Sequence, residues 1–123
     1  MKDLKRKIHY WCSDTMQNKI TGKGVVCAVL DTGITQHPDL VGRIVGWKDC
    51  VQGKKTIYDD NGHGTHVAGI LAGNGKSGRG LYSGMAPEAQ IFAVKVLNQR
   101  GGGKIRDVIN GIRYVLLKQK EMK

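Results

Sequence analysis

The sequence predicts an α/β fold in which a parallel sheet is flanked by helices. Three short runs of aliphatic and β-branched residues, about Val25 to Leu30, Arg43 to Trp47 and Ile91 to Leu97, alternate with two longer stretches of helical periodicity. Two of the strand runs are almost continuously apolar, a pattern that suits strands covered on both faces. The first run ends on a carboxylate, Asp31, and open α/β sheets place their sites at the carboxyl ends of strands.

Along the chain, a short helix near Trp11 to Gln17 is predicted as a lead-in, with Ser13 or Asp14 as its cap. The first strand follows, and Thr32-Gly33 turns the chain after Asp31. The first long helix opens at His63 and runs to about Ala72, with Val67, Ile70 and Leu71 predicted as its buried stripe and Gly64, Ala68 and Gly69 keeping it slim. Gly73-Asn-Gly-Lys-Ser-Gly-Arg-Gly80 reads as a surface loop. The last helix spans about Lys104 to Lys118, since Ile105, Val108, Ile109, Ile112, Val115 and Leu116 recur at three- and four-residue spacing. Lys118 and Lys120 suit the negative end of its dipole, and Gly111 inside it costs about 1 kcal/mol against alanine, which packing must offset. Trp11 and Trp47 are read as packing residues.

Within this frame the chemistry concentrates in two segments, Asp31-Thr-Gly-Ile34 and Asp60-Asn-Gly-His63-Gly-Thr-His66-Val-Ala-Gly69. Taken singly, Asp31 is more often a turn or cap residue and His63 a hydrogen-bonded structural histidine. Their linkage is what gives them weight. Together with His37-Pro-Asp-Leu40, Ala86-Pro-Glu-Ala89 and Val94-Lys-Val-Leu97, they resemble the landmarks of the subtilisin-like serine proteases (subtilases), in that family's order, over roughly Thr21 to Tyr114.

The resemblance implies a three-layer subtilisin-like fold, present here as an incomplete amino-terminal half, with residues 1–20 as a lead-in and 21–123 as part of the peptidase domain. It implies the third strand between the other two, leaving an open edge on the first. It also implies Asp31 as the triad carboxylate and His63 as the general base of a serine endopeptidase, with His66 at a packing position. A serine hydroxyl is a poor nucleophile until an imidazole takes its proton, and a carboxylate on the far ring nitrogen sets the tautomer and stabilises the imidazolium. The family's Gly-Thr-Ser-Met-Ala nucleophile motif and its oxyanion asparagine do not occur in this sequence. Ser83-Gly-Met-Ala-Pro87 lacks the Gly-Thr lead and runs into a strand, so Ser83 is set aside, and Ser13 and Ser77 have less to recommend them. The 123-residue chain is accordingly expected to be inactive alone.

Gly101-Gly102-Gly103 lies between the third strand and the last helix. A glycine hinge is the reading from composition alone. The resemblance instead implies that this segment pairs with an extended peptide or protein substrate by strand addition, with Ile105 walling a side-chain pocket. Asp39 matches a residue that binds calcium in some subtilases; no further ligand loop is recognisable in 73–80, so Asp39 is read as stabilising its turn and no metal or other cofactor is expected. Asp59 and Asp60 could help orient the histidine or favour basic substrates, but two exposed turn carboxylates are the simpler reading.

Bulk properties exclude several alternatives. At 123 residues with 40% hydrophobic content the chain suits one domain, and it shows no internal repeat. The net charge of +10 admits nucleic-acid binding, but much of it sits in Lys2 to Lys7 and Lys118 to Lys123 without a stacking platform or zinc module, so nucleic acid is not an expected partner. No apolar stretch is long enough for a signal core or a membrane span. Cys12, Cys27 and Cys50 are odd in number and lack a CxxC spacing, which favours free thiols and, with no signal core, a cytoplasmic setting. The 20 residues before Thr21 leave no room for the signal and prosegment of secreted subtilases, so the resemblance is expected to be to the intracellular branch. The expected partners are a peptide substrate, the missing carboxy-terminal half of the domain and, through the open edge, a second copy of the chain. The rival from another class is a noncatalytic peptide- or partner-binding module derived from a subtilase.

Overall fold

The computed structural model describes residues 20–78 and 83–121. The expected lead-in helix, Trp11, Cys12 and Ser13 lie outside them. Strands β1 (Val26–Asp31), β2 (Ile44–Asp49) and β3 (Gln90–Lys95) form one parallel sheet in the order β1-β3-β2. Helix α1 spans His63–Ala72 and α2 spans Ile105–Glu121. A 3-10 turn, Pro38–Leu40, follows β1, and another, Lys76–Gly78, follows α1. No helix among the described residues is long and apolar enough to cross a membrane.

Strand β3 is the centre of the molecule. Its residues from Ile91 to Lys95 are all buried, and it pairs with both neighbours, in register Val26 with Gln90 through Asp31 with Lys95 on one side. Side chains alternate across a strand, so β3 feeds two cores. Ile91 and Ala93 join Ile34, Leu40, Ala68, Ala72 and Ala89 beneath α1. Phe92, Val94 and Val96 face the other way, against Leu30, Val108 and Val115 beneath α2. This is a sheet between two helical layers.

The pattern reading needs three corrections. The fully buried stripe of α1 is Gly64, Ala68 and Ala72, one residue per turn, whereas Val67, Ile70 and Leu71 are only partly buried. Small residues win that face because the helix lies close to the turn after β1: a side chain at Gly64 would collide with the Gly33 peptide. Gly69 does not share this role, since a Cβ there meets nothing within 4 Å. Strand β1 has the open edge expected of it, with no strand among those described on its outer side, but it is not covered on both faces throughout: Val26 and Ala28 are exposed. Finally, the apolar residues of α2 divide. Val108, Gly111 and Val115 meet the sheet, while Ile105, Ile109, Ile112 and Leu116 form a stripe 43% to 80% exposed. A Cβ on Gly111 would lie 2.8 Å from Val96 and 3.1 Å from Val94, which is the packing that offsets its low helix propensity.

Trp47 packs as expected, edge-on to Tyr58 with ring centroids 5.7 Å apart, and its indole N–H donates to the Lys54 carbonyl.

Candidate active site

The carboxyl ends of β1 and β3 and the amino end of α1 converge on one spot. Asp31 is the last residue of β1 and His63 the first of α1. The His63 Nδ1 atom lies 2.8 Å from Asp31 Oδ1 and 3.1 Å from Oδ2. An ionised carboxylate only accepts, so Nδ1 bears the proton and Nε2 is left as the basic nitrogen. The Asp31 side chain is 12% exposed and that of His63 is 62% exposed. The carboxylate is sheltered and the imidazole faces solvent, where a substrate can meet it.

Each partner is held by its own turn. The Thr32 N–H donates to Asp31 Oδ1 at 2.7 Å, while the Asp31 carbonyl accepts from Val96 and Leu97 of the neighbouring chain segment. On the histidine side, Gly62 occupies the cap position in a left-handed conformation, with φ of 101°, and its missing side chain gives the helix no cap of its own. Neighbours supply it. Asn61 Oδ1 accepts from the His63 N–H, and Asp59 accepts from the N–H groups of Asn61, Gly62 and Thr65 and from the Thr65 hydroxyl.

Asp59 also accepts from the Thr32 hydroxyl, which in turn accepts from the Gly64 N–H. One carboxylate therefore ties the residue after Asp31 to the helix that begins with His63. Burial works against its charged form, yet the hydrogen bonds from Thr65, Gly62 and Thr32 prevail and hold the carboxyl well below the usual range. Asp60 pairs with Lys95 at 2.8 Å. Asp59 is half-buried, which corrects its reading as an exposed turn carboxylate; Asp60 is exposed as read, with its carboxylate paired to Lys95. Sequence pattern missed Lys95, for which a lysine inside an otherwise apolar strand was the available signal.

The glycine segment lies at the same end of the sheet. The Asn61 side-chain amide donates to the Gln99 carbonyl at 3.0 Å, connecting the loop before His63 to the turn before Gly101. Gly101 has φ of 80° and its N–H donates to the Asn98 carbonyl. Both peptide groups of Gly102 are engaged by Asn98, its N–H with Oδ1 at 3.1 Å and its carbonyl with the Asn98 N–H at 2.7 Å. Gly101, Gly102 and Gly103 are exposed, and Ile105 is 80% exposed at the start of α2.

Other candidates fall elsewhere. The Ser83 segment runs beside the far end of α1, where the N–H groups of Gly84, Met85 and Ala86 donate to the carbonyls of Gly73, Ile70 and Leu71. At 1.5 Å per helical residue, that end is roughly 15 Å from His63. Burial pushes the Cys50 thiol up, against the nearby Lys48, which makes it a poor nucleophile. His66 is exposed instead of packed and lines a cleft of about 460 Å³ with Thr35, His37 and Leu40. Asp39 Oδ1 accepts from the Ser77 N–H, a bond that joins the Pro38–Leu40 turn to the Lys76–Gly78 turn. No group of three metal-ligating side chains occurs among the described residues.

An imidazole bonded to a carboxylate through one ring nitrogen and open to solvent is able to accept a proton on the other. The Subtilase family matches residues 22–123. Serine protease AprX of Bacillus subtilis (strain 168) is 55% identical over 97 residues, covering 79% of this chain and 22% of that protein. Thermitase of Thermoactinomyces vulgaris is 46% identical over 94 residues, covering 76% and 33% respectively. Among solved structures, a cold adapted subtilisin-like serine proteinase superposes with a TM-score of 0.69 at 37% identity over 78% of this chain and 33% of that one. Sphericase gives 0.68 at 40% identity over 83% and 34%. The chain spans a third or less of the length of AprX and thermitase. It belongs to the subtilase family, the subtilisin-like serine proteases.

Proposed function

We propose that Asp31 and His63 are the carboxylate and the general base of a Ser-His-Asp triad, and that the protein containing this stretch is a serine endopeptidase. The observation that carries the reading is the 2.8 Å contact from His63 Nδ1 to a sheltered Asp31, with the imidazole itself open to solvent. In that role His63 Nε2 takes the proton of a serine hydroxyl as the oxygen attacks the scissile carbonyl, then returns it to the leaving amine. Asp31 keeps the tautomer correct and stabilises the imidazolium. No cofactor is needed for this chemistry.

The nucleophile and the oxyanion donors come from the carboxy-terminal half of the domain, and the 123-residue chain alone does not hydrolyse peptides. The substrate is an extended peptide or protein gripped by Gly101, Gly102 and Gly103, with Ile105 beside it; their exposure, and the bond from Asn61 to nearby Gln99 that holds this turn beside the loop before His63, support this. The open edge of β1 and the bare stripe of α2 support self-association of the isolated chain. Free thiols at Cys27 and Cys50 support a reducing compartment such as the cytoplasm.

The test uses a fluorophosphonate probe on the longer protein and on the 123-residue chain. Labelling of the longer protein should slow by at least about a thousandfold in Asp31→Ala and in His63→Ala, and the short chain should stay unlabelled and inactive. Peptide cleavage by the short chain, lost in both variants, would sink the assignment of roles.

A further inference from the structure

Lys95 is an ammonium in a place where a methionine or leucine would fill the same space. Its side chain is 1% exposed on the central strand, and burying a charge is costly unless every donor is matched. Here every donor is matched. Nζ donates to the Thr32 carbonyl at 2.6 Å, to the Leu97 carbonyl at 2.6 Å and to Asp60 Oδ1 at 2.8 Å, with the Tyr58 ring 5.2 Å away. These three acceptors are what distinguish the site. Thr32 belongs to the turn that follows Asp31. Asp60 belongs to the loop that delivers His63. Leu97 is where β3 leaves toward Asn98 and the glycine segment.

Three donors radiating from one nitrogen fix three segments relative to one another, which a point contact between any two cannot do. An apolar residue would keep the core filled and leave those carbonyls and Asp60 without their common partner. We propose that Lys95 is a positioning residue for the Asp31–His63 pair: its buried ammonium sets the distance between the strand end that carries the carboxylate and the loop that carries the imidazole. The proposal rests on the reading of Asp31 and His63 as an acid–base pair. Lys95 acts through Thr32 and Asp60 and does not touch the reacting atoms.

The readout is the Nδ1 proton of His63, observed by NMR in the 15N-histidine-labelled chain as a downfield resonance with slow solvent exchange. Lys95→Met and Asp60→Asn should each accelerate its exchange at least tenfold, while the amide protection of Ile91 to Val94 stays within twofold. Asp60→Asn changes only a charge on a partly exposed residue, so it tests the idea without emptying the core. If both variants keep the Nδ1 exchange rate within twofold while Asp31→Asn abolishes the signal, the role of Lys95 is wrong and the pair stands. If the signal persists in Asp31→Asn, the pair itself is wrong. Loss of β3 protection together with the signal in both variants would also overturn the proposal, since Lys95 would then only hold the fold together.

Discussion

Thr65 donates twice to one oxygen of Asp59, from its peptide N–H at 2.9 Å and from its hydroxyl at 2.6 Å. With Gly62 and Thr32 on the other oxygen, the carboxylate is worth keeping ionised, and its pKa in the folded chain lies well below that of an unfolded aspartate. A carboxyl depressed on folding stabilises the fold above its unfolded pKa, near 4, and that contribution is lost as pH falls toward the folded value. Asp59→Asn should therefore cost about 2 kcal/mol at pH 7, with the gap to the parent narrowing as pH drops below about 4. Urea unfolding at pH 7 and pH 3 measures it. Parallel loss at both pH values would show that the charge of Asp59 is not what holds the turn.

Gly102 and Gly103 are adjacent, but the chain around them differs. A Cβ on Gly102 comes no nearer than 3.8 Å to Asn98, whereas one on Gly103 would lie 2.7 Å from Leu97 and the Val96 carbonyl. Gly102→Val should leave stability within about 0.5 kcal/mol and, in the longer protein, raise KM for extended peptides at least tenfold by obstructing the backbone. Gly103→Ala should instead lower the unfolding midpoint. Thermal unfolding with peptide kinetics separates them, and an unchanged KM in Gly102→Val would remove that glycine from the substrate groove.

Gly111→Ala should destabilise the chain although alanine is the better helix former. Propensity favours the substitution by about 1 kcal/mol, and overpacking against Val96, Val94 and Leu30 opposes it by about 1–3 kcal/mol. A raised melting temperature would mean that α2 shifts away from the sheet without penalty.

Ile109→Lys with Ile112→Lys should reduce association of the isolated chain while leaving its helix content unchanged, because neither residue is among those packed on the core beneath α2. Sedimentation velocity at several concentrations reads this directly. Association unaffected by both changes would point to the β1 edge instead.

The strands, both long helices and the Asp31–His63 pairing were legible because they rest on signals that local sequence carries: apolar runs, helical spacing and linked motifs. Strand bounds shifted by only a residue or two, while α2 runs to Glu121, beyond the expected Lys118. What sequence could not convey was direction. The apolar set of α2 is periodic whichever of its members meet the sheet, and only the position of Val94 and Val96 opposite Gly111 decides that Ile109 and Ile112 face out. Asp59 and Asp60 look alike in the sequence, and their separate tasks depend on Thr32 and Lys95, which are distant along the chain.

The unequal seating of the two helices sets an order of motion. Helix α1 is pinned at its amino end by Asp59 and shares a core with Ala93 and Ile91, so its amides should open only with the sheet. Helix α2 holds to the sheet through Val108, Gly111 and Val115 and has a solvated outer side, so its hydrogen bonds should exchange through smaller, more frequent openings. The segment Gly101–Gly103 precedes α2 by one residue and should share in that breathing, whereas His63 and Asp31 should ride on the slow part of the molecule.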